Sequence, residues 1–250
     1  MKNQSKKTRK FCILTTQRSG STWLSTLLDS NSKIQGFREL FIDQEFIFPD
    51  SKLSTFLLYQ KNNSGNRPGI TFKYLNKLDD YLEEHDAIGF KLMYDQLLDY
   101  PEIILRLVDE KYKIIHLVRE NYLDTVISGK IKDELGVAHT KVKIEPKKVY
   151  LEPFWLIKNL KKRDRKRKVA NMFLAIMPNQ VLNITYDNLC IDRAKTLKLI
   201  ADFLNLNSSE KNMFNSDLKK INSKSHQEMI QNYEQVKSAL SGTKFFDFLN

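Results

Sequence analysis

The chain has 250 residues, 41% apolar and 11% aromatic, with 8 Gly and 6 Pro, a composition that excludes collagen-like, low-complexity and wholly disordered classes. Lys and Arg total 41 against 30 Asp and Glu, and the formal net charge of +11 favours anionic partners. Nucleic acid, an anionic membrane and phosphorylated or sulfated small molecules all respond to such a field, and a merely solvated Lys-rich surface produces the same number.

Residues 1–10 are polar and basic without an apolar period and read as a flexible leader. Phe11 to Thr15 reads as a short buried strand and Gln17 to Thr22 as a turn. Trp23, Leu24, Leu27 and Leu28 then recur at helical spacing. Two more buried strands are expected at Ala87 to Leu92 and Lys113 to Val118, the second followed by a helix with Leu123, Val126, Ile127 and Ile131 on one face. A fourth strand fits Val181 to Thr185, ahead of the amphipathic run Thr196 to Leu206. Helical insertions are expected at Ser51 to Gln60, Tyr74 to Glu84, Pro101 to Glu110 and Pro146 to Leu174, with a loop at Asn62 to Gly69. The tail from His226 to Asn250 carries enough aromatic and aliphatic residues to pack back onto the body. Strands separated by helices imply an α/β class with a central parallel sheet covered on both faces, here as one domain over residues 11–250.

Cys12 and Cys190 lie far apart with no Cys/His cluster around either, so neither a disulfide scaffold nor a zinc module is indicated and no metal is expected. No run approaches about 18 apolar residues, and Phe11 to Leu14 is too short for a signal peptide core. A cytoplasmic location without a membrane span is the expectation.

A tight loop between a buried strand and a helix N-terminus aims backbone N–H groups and the positive helix end at one point, where an anion is stabilised. Ser19-Gly20-Ser21-Thr22 supplies small residues and hydroxyls there, and Arg18 supplies a planar cationic fork. No Lys precedes Ser21 and no Gly stands five residues before Gly20, so the nucleotide-triphosphatase loop G-x-x-x-x-G-K-[ST] does not fit. An S-G-S-T turn that only caps a helix is the plain alternative.

The stretch Thr15-Thr-Gln-Arg-Ser-Gly-Ser-Thr-Trp-Leu24 resembles the 5′-phosphosulfate loop of sulfotransferases that use 3′-phosphoadenylyl sulfate (PAPS). His116-Leu-Val-Arg119 through Ser128 resembles the element that delivers an Arg and a Ser to the 3′-phosphate in that family. Many members read Arg-Asp-Pro there with a step of eight to the Ser, whereas Glu120-Asn121 follows here and the step is nine. The longer step is similar to the bacterial branch acting on lipo-chitooligosaccharides and trehalose glycolipids, as are Phe90 to Asp95, Leu135 to His139 and Ile184 to Leu189. The resemblance implies a three-layer P-loop-like fold, PAPS as donor and adenosine 3′,5′-bisphosphate (PAP) as product. By position, Arg18, Ser19, Gly20, Ser21 and Thr22 would bind the 5′ end, and Arg119 with Ser128 the 3′-phosphate. Trp23 matches a position whose ring packs on adenine, or else it is a core residue of the first helix.

Sulfuryl transfer needs a base for the attacking hydroxyl and positive groups near the departing bridge oxygen. Glu39, which resembles the catalytic Glu of the glycolipid branch, is the first candidate base and His139 the reserve; an exposed Arg38/Glu39 pair is the plain alternative. Arg18 suits the bridge oxygen. Lys91 is a candidate for meeting the sulfuryl oxygens or the acceptor, against a solvated Lys at a strand end. His116 reads as a satisfied core residue, and Asp187 as a cap or brace of the helix after it. Lys158 to Lys168 contains Lys161, Lys162, Arg163, Arg165, Lys166 and Arg167 with Asp164 as its sole acid. Such a run is a solvated helix face or a contact for an anionic acceptor, a membrane surface or RNA. The expected function is sulfuryl transfer to a hydroxyl of a carbohydrate or glycolipid; the competing one is a basic α/β protein that binds nucleic acid or another polyanion without transferase activity.

Overall fold

The structure is a computed structural model that describes residues 9–49, 53–135, 148–206 and 225–249. The chain forms two compact units. The first takes residues up to 16, the described part of 20–118, and the chain from 176 to 206; the second takes 17–19, the described part of 119–175, and 225–249.

The first unit is built on a sheet of β1 (Arg9–Thr15), β2 (Ile34–Glu39), β3 (Ala87–Met93), β4 (Lys113–Val118) and β5 (Val181–Thr185). Their order is β2-β3-β1-β4-β5 and every pairing is parallel. The central strands are near-continuous apolar runs because both of their faces are covered. Phe11, Ile13, Ile115 and Leu117 pack with Leu24, Leu27 and Leu28 of α1 (Ser21–Asp29) in one core. Connections leaving β1 and β3 stay on one side of β1 or cross it, so the chain reverses its direction of travel around β1 and β4, the position where open α/β sheets place their ligands. The Thr15 hydroxyl donates to the Leu117 carbonyl at 2.8 Å and ties the ends of these two strands together.

Between β2 and β3 come α2 (Phe56–Asn62), α3 (Gly69–Asn76) and a 3₁₀ turn (Lys77–Tyr81). Phe56 and Tyr74 seal this insertion through ring contacts with Phe41 and with each other. After β3 follow α4 (Tyr94–Asp99) and α5 (Glu102–Asp109). The second unit holds α6 (Tyr122–Leu135) and, up to Ala175, the 24-residue α7 (Pro153–Ile176). The first unit ends with α8 (Tyr186–Ile191) and α9 (Arg193–Phe203); α10 (His226–Met229), α11 (Tyr233–Leu240) and a 3₁₀ turn (Phe246–Leu249) return to the second. Leu123, Val126, Ile127 and Ile131 of α6 share a core with Leu156 and Leu160 of α7 and Val236 and Leu240 of α11.

The four expected strands are present, and a fifth, β2, joins them. It is an edge strand in which only Ile34 and Phe37 are buried and Gly36 interrupts the apolar pattern. The segment expected to be a loop at Asn62 to Gly69 gives way to α3 at Gly69, five residues before the expected insertion helix. Asp187 lies in the first turn of α8 but is not its cap: the Thr185 hydroxyl accepts from the Asn188 N–H there, and Asp192 accepts from the Lys195 N–H to cap α9. Cys12 is a buried free thiol and Cys190 an exposed one. Among the described residues no helix is long and apolar enough to cross a membrane, and no group of three or more His, Cys, Asp or Glu is arranged to hold a metal ion.

Candidate active site

In the first unit, three of the residues singled out above meet. The Lys91 ammonium lies 3.1 Å from Glu39 Oε1 and donates to Thr22 Oγ1 at 3.2 Å. Lys91 is 3% exposed, so it is no solvated strand-end lysine. Burial drives its pKa below the ordinary lysine value, with the Glu39 carboxylate pulling the other way. Glu39 is half-buried while its neighbour Arg38 is exposed, so the two do not form a surface pair.

The loop after β1 enters α1 through Gly20, which is left-handed at φ 83° and offers no side-chain cap. A Cβ on Gly20 would lie 2.4 Å from Cδ2 of Tyr186, so the position is reserved for glycine by conformation and by space. Ser21 is buried, and the first turn of α1 carries no acidic side chain to compete with an anion. Trp23 is partly buried: it packs on the α1 core and meets Tyr186 edge-on, with ring centroids 6.3 Å apart. Its indole Nε1 is buried without a hydrogen-bond partner among the described residues.

The second unit gathers Arg18, Arg119 and Ser128. Arg18 is itself left-handed at φ 65°, an uncommon conformation for a residue with a Cβ. Its guanidinium donates to Ser128 Oγ from Nε at 3.0 Å and from Nη2 at 2.8 Å. Arg119, the first residue after β4, donates from Nη1 to the Arg18 carbonyl at 3.3 Å and from Nη2 to Asp124 Oδ2 at 2.9 Å. Ser19 is fully buried. The Arg18 guanidinium rests on a hydroxyl and that of Arg119 on a carbonyl and the Asp124 carboxylate, a cluster of planar donors suited to an oxyanion.

Sequence reasoning gave no role to Asp124 or His226. Asp124 holds Arg119 with one oxygen and the His226 Nε2 with the other, at 2.8 Å. Burial raises the Asp124 pKa, but the hydrogen bond from His226 and the charge of Arg119 outweigh it and hold the carboxyl below its ordinary value. The other His226 nitrogen, Nδ1, lies 3.3 Å from the Leu249 carbonyl. The Arg119-to-Asp124 spacing stands in the motif, but nothing in the sequence links it to a histidine about a hundred residues later. His116 is the buried core residue expected: its Nδ1–H donates to Asn183 Oδ1 at 2.8 Å, and its Nε2 accepts from the Tyr94 hydroxyl at 2.6 Å. His139 lies outside the described residues.

The family model of the sulfotransferase domain matches residues 8–247. No curated protein sequence matches the chain significantly. Among solved structures, a sulfotransferase from Alicyclobacillus acidocaldarius is similar at 13% identity, covering 96% of this chain and 94% of that one with a TM-score of 0.46. The sulfotransferase domain of the curacin biosynthetic pathway is 17% identical over 82% of this chain and 77% of its own, with a TM-score of 0.48. Mouse sulfotransferase SULT7A1, solved with PAP, is 17% identical over 96% of this chain and 74% of its own, with a TM-score of 0.40. Because the family model runs through nearly the whole chain, the protein belongs to the sulfotransferase domain family and is a transferase of sulfuryl groups.

Proposed function

We propose that this chain moves a sulfuryl group from PAPS to a hydroxyl of a carbohydrate or glycolipid, with Glu39 as general base, and that residues 11–250 act as one catalytic domain in the cytoplasm. The match across residues 8–247 supports the single domain, and the exposed free thiol of Cys190 suits a reducing compartment. The observation that carries the mechanism is the Glu39–Lys91–Thr22 group, in which one buried cation lies within hydrogen-bond reach of both a carboxylate and a hydroxyl.

Glu39 takes the proton of the acceptor hydroxyl as its oxygen bonds to sulfur. The bond from sulfur to the phosphate bridge oxygen breaks, and PAP leaves with the electron pair. Lys91 and Arg18 stabilise the charge that gathers on the sulfuryl and bridge oxygens, each such prearranged donor being worth roughly 3 kcal/mol of barrier. Ser19, Gly20, Ser21 and Thr22 hold the 5′ end with backbone amides and hydroxyls. Arg119 and Ser128 take the 3′-phosphate, and Trp23 packs near the base. The left-handed turn at Gly20 supports this role, because it opens α1 with no side-chain cap over its first amides. His139 is kept as an acceptor contact or reserve base.

The test is calorimetry. PAP should bind on the order of 10- to 100-fold more tightly than AMP, the difference expected of charge-assisted hydrogen bonds to one phosphate, and Arg119→Ala should remove that preference. Equal affinity for the two nucleotides in the native chain would overturn the donor assignment and favour the polyanion-binding reading.

A further inference from the structure

The long basic helix α7 has a patterned outer face. Phe154 and Met172 stand eighteen positions apart, five whole turns at 3.6 residues per turn, so they share one line along the helix. Lys158, Lys161, Arg165, Lys168 and Ile176 fall within about 40° of that line at 100° per residue. All are exposed, whereas Leu156, Leu160 and Ala170 on the opposite side are buried. The result is a straight stripe about 33 Å long, cationic in the middle and apolar at both ends. Phe154 is 79%, Met172 70% and Ile176 80% exposed, a cost in water that the second unit's own core does nothing to relieve.

Among the described residues Lys158, Lys161, Lys162 and Arg165 form no ion pair; Asp164, the run's sole acid, pairs with Lys168 of the stripe at 3.4 Å and with Lys244 at 2.5 Å. At the N-terminal end Trp155 flanks the stripe with the Lys130 ammonium 4.5 Å above its ring, pairing an amphipathic indole with a cation.

We propose that this face of α7 docks the protein on an anionic lipid bilayer. Phosphate headgroups complement the cations, while the aromatic and aliphatic ends enter the boundary of the acyl chains, as interfacial helices do. A nucleic acid would satisfy the lysines and arginine and could stack on Phe154, but it offers nothing to Met172 and Ile176, which have no ring to stack. The pairing of charge with aliphatic ends is what selects lipid.

The experiment is sedimentation of the full chain with phosphatidylcholine vesicles made with and without phosphatidylglycerol, at fixed ionic strength. Binding is expected only with the anionic lipid. Lys158→Gln, Lys161→Gln, Lys162→Gln and Arg165→Gln together should weaken it roughly 600-fold, at about fivefold per cation near the surface. Phe154→Ser, Met172→Ser and Ile176→Ser together, which leave the charge unchanged, should weaken it about 10-fold or more. Removing the same charge at exposed Lys33, Lys195, Lys198 and Lys237 should have a much smaller effect, and circular dichroism checks that every variant folds. The proposal is overturned if the native chain ignores anionic vesicles, if the apolar triple variant binds them as the native chain does, or if the control charges matter equally. Docking is read without turnover, so its failure and the failure of the transfer reading are separate results.

Discussion

Glu39 faces Lys91 because β2 slips by one residue against β3. The register runs Phe37 opposite Phe90 and then Glu39, not Arg38, opposite Lys91. A bulge of this kind places two residues against one and re-aims the side chain that follows. Without it the guanidinium of Arg38 would stand across from a buried ammonium, which is electrostatically unfavourable. The irregularity thus sets a carboxylate beside the one buried cation named as a candidate, and it does so on an edge strand, where a departure from the ladder disturbs few neighbours.

If Glu39 removes the acceptor proton, Glu39→Gln should lower kcat by roughly 10² to 10⁴, the usual contribution of a positioned general base. PAP affinity should change little, since the amide keeps one acceptor for the Lys91 ammonium. Steady-state turnover with calorimetry on the same variant checks both halves. Unchanged turnover would move the role to another group or to solvent.

Lys91 gives a prediction of opposite sign for stability. Its folded pKa lies below 10.5, so between that lowered value and 10.5 the unfolded chain binds more protons, and stability rises with pH across this window. Below the lowered value the buried charge opposes folding in full. Lys91→Met removes the charge while keeping the volume, and leaves Glu39 partly solvated. The Tm at neutral pH should hold or rise by about 2–4 °C, the stability gradient toward alkaline pH should flatten, and turnover should be lost. A marked drop in Tm would show that the ion pair stabilises the fold.

The two candidate phosphate runs stood out because each packs its chemistry into a short contiguous stretch: Arg18 to Thr22 after one apolar strand, Arg119 to Ser128 after another. Arg18 and Ser128, named separately from the two runs, are in direct hydrogen-bond contact. Four strands were legible for the same reason, as buried strands of a parallel sheet are unbroken apolar runs. The fifth was not, because at an edge the pattern thins to Ile34 and Phe37. Short α4 was hidden as well, its apolar residues following β3 without a break and its start marked only when Gln96 accepts from the Met93 N–H. Contacts across long separations, such as Asp124 with His226, leave no local signature at all.

If Arg119 takes the 3′-phosphate as proposed, Asp124 positions it through their 2.9 Å ion pair. Its folded pKa lies below 3.8, so the stability it contributes is fully present above that value and is lost as pH falls through the folded one. Asp124→Asn should cost about 1–3 kcal/mol, the usual penalty when a charge-assisted bond to a buried partner is removed. It should also make acid unfolding less steep. The readout that a purely structural role would not move is the preference for PAP over AMP, which should shrink without being abolished, with Asp124→Glu restoring part of it.

Gly20 offers the most direct test of the loop. At φ 83° any residue with a Cβ is strained, by about 1–3 kcal/mol, and the added atom would meet the Tyr186 ring at 2.4 Å. Gly20→Ala should therefore lower the denaturant midpoint and weaken PAP binding together, because the amides that open α1 must shift to make room. Tyr186→Ala in the same chain removes the steric part and leaves the backbone part, so the double variant should recover some stability but not all of it. Full recovery would mean that Gly20 serves only to clear the tyrosine. No recovery would mean that the left-handed turn, and with it the placement of the first amides of α1, is what the glycine supplies.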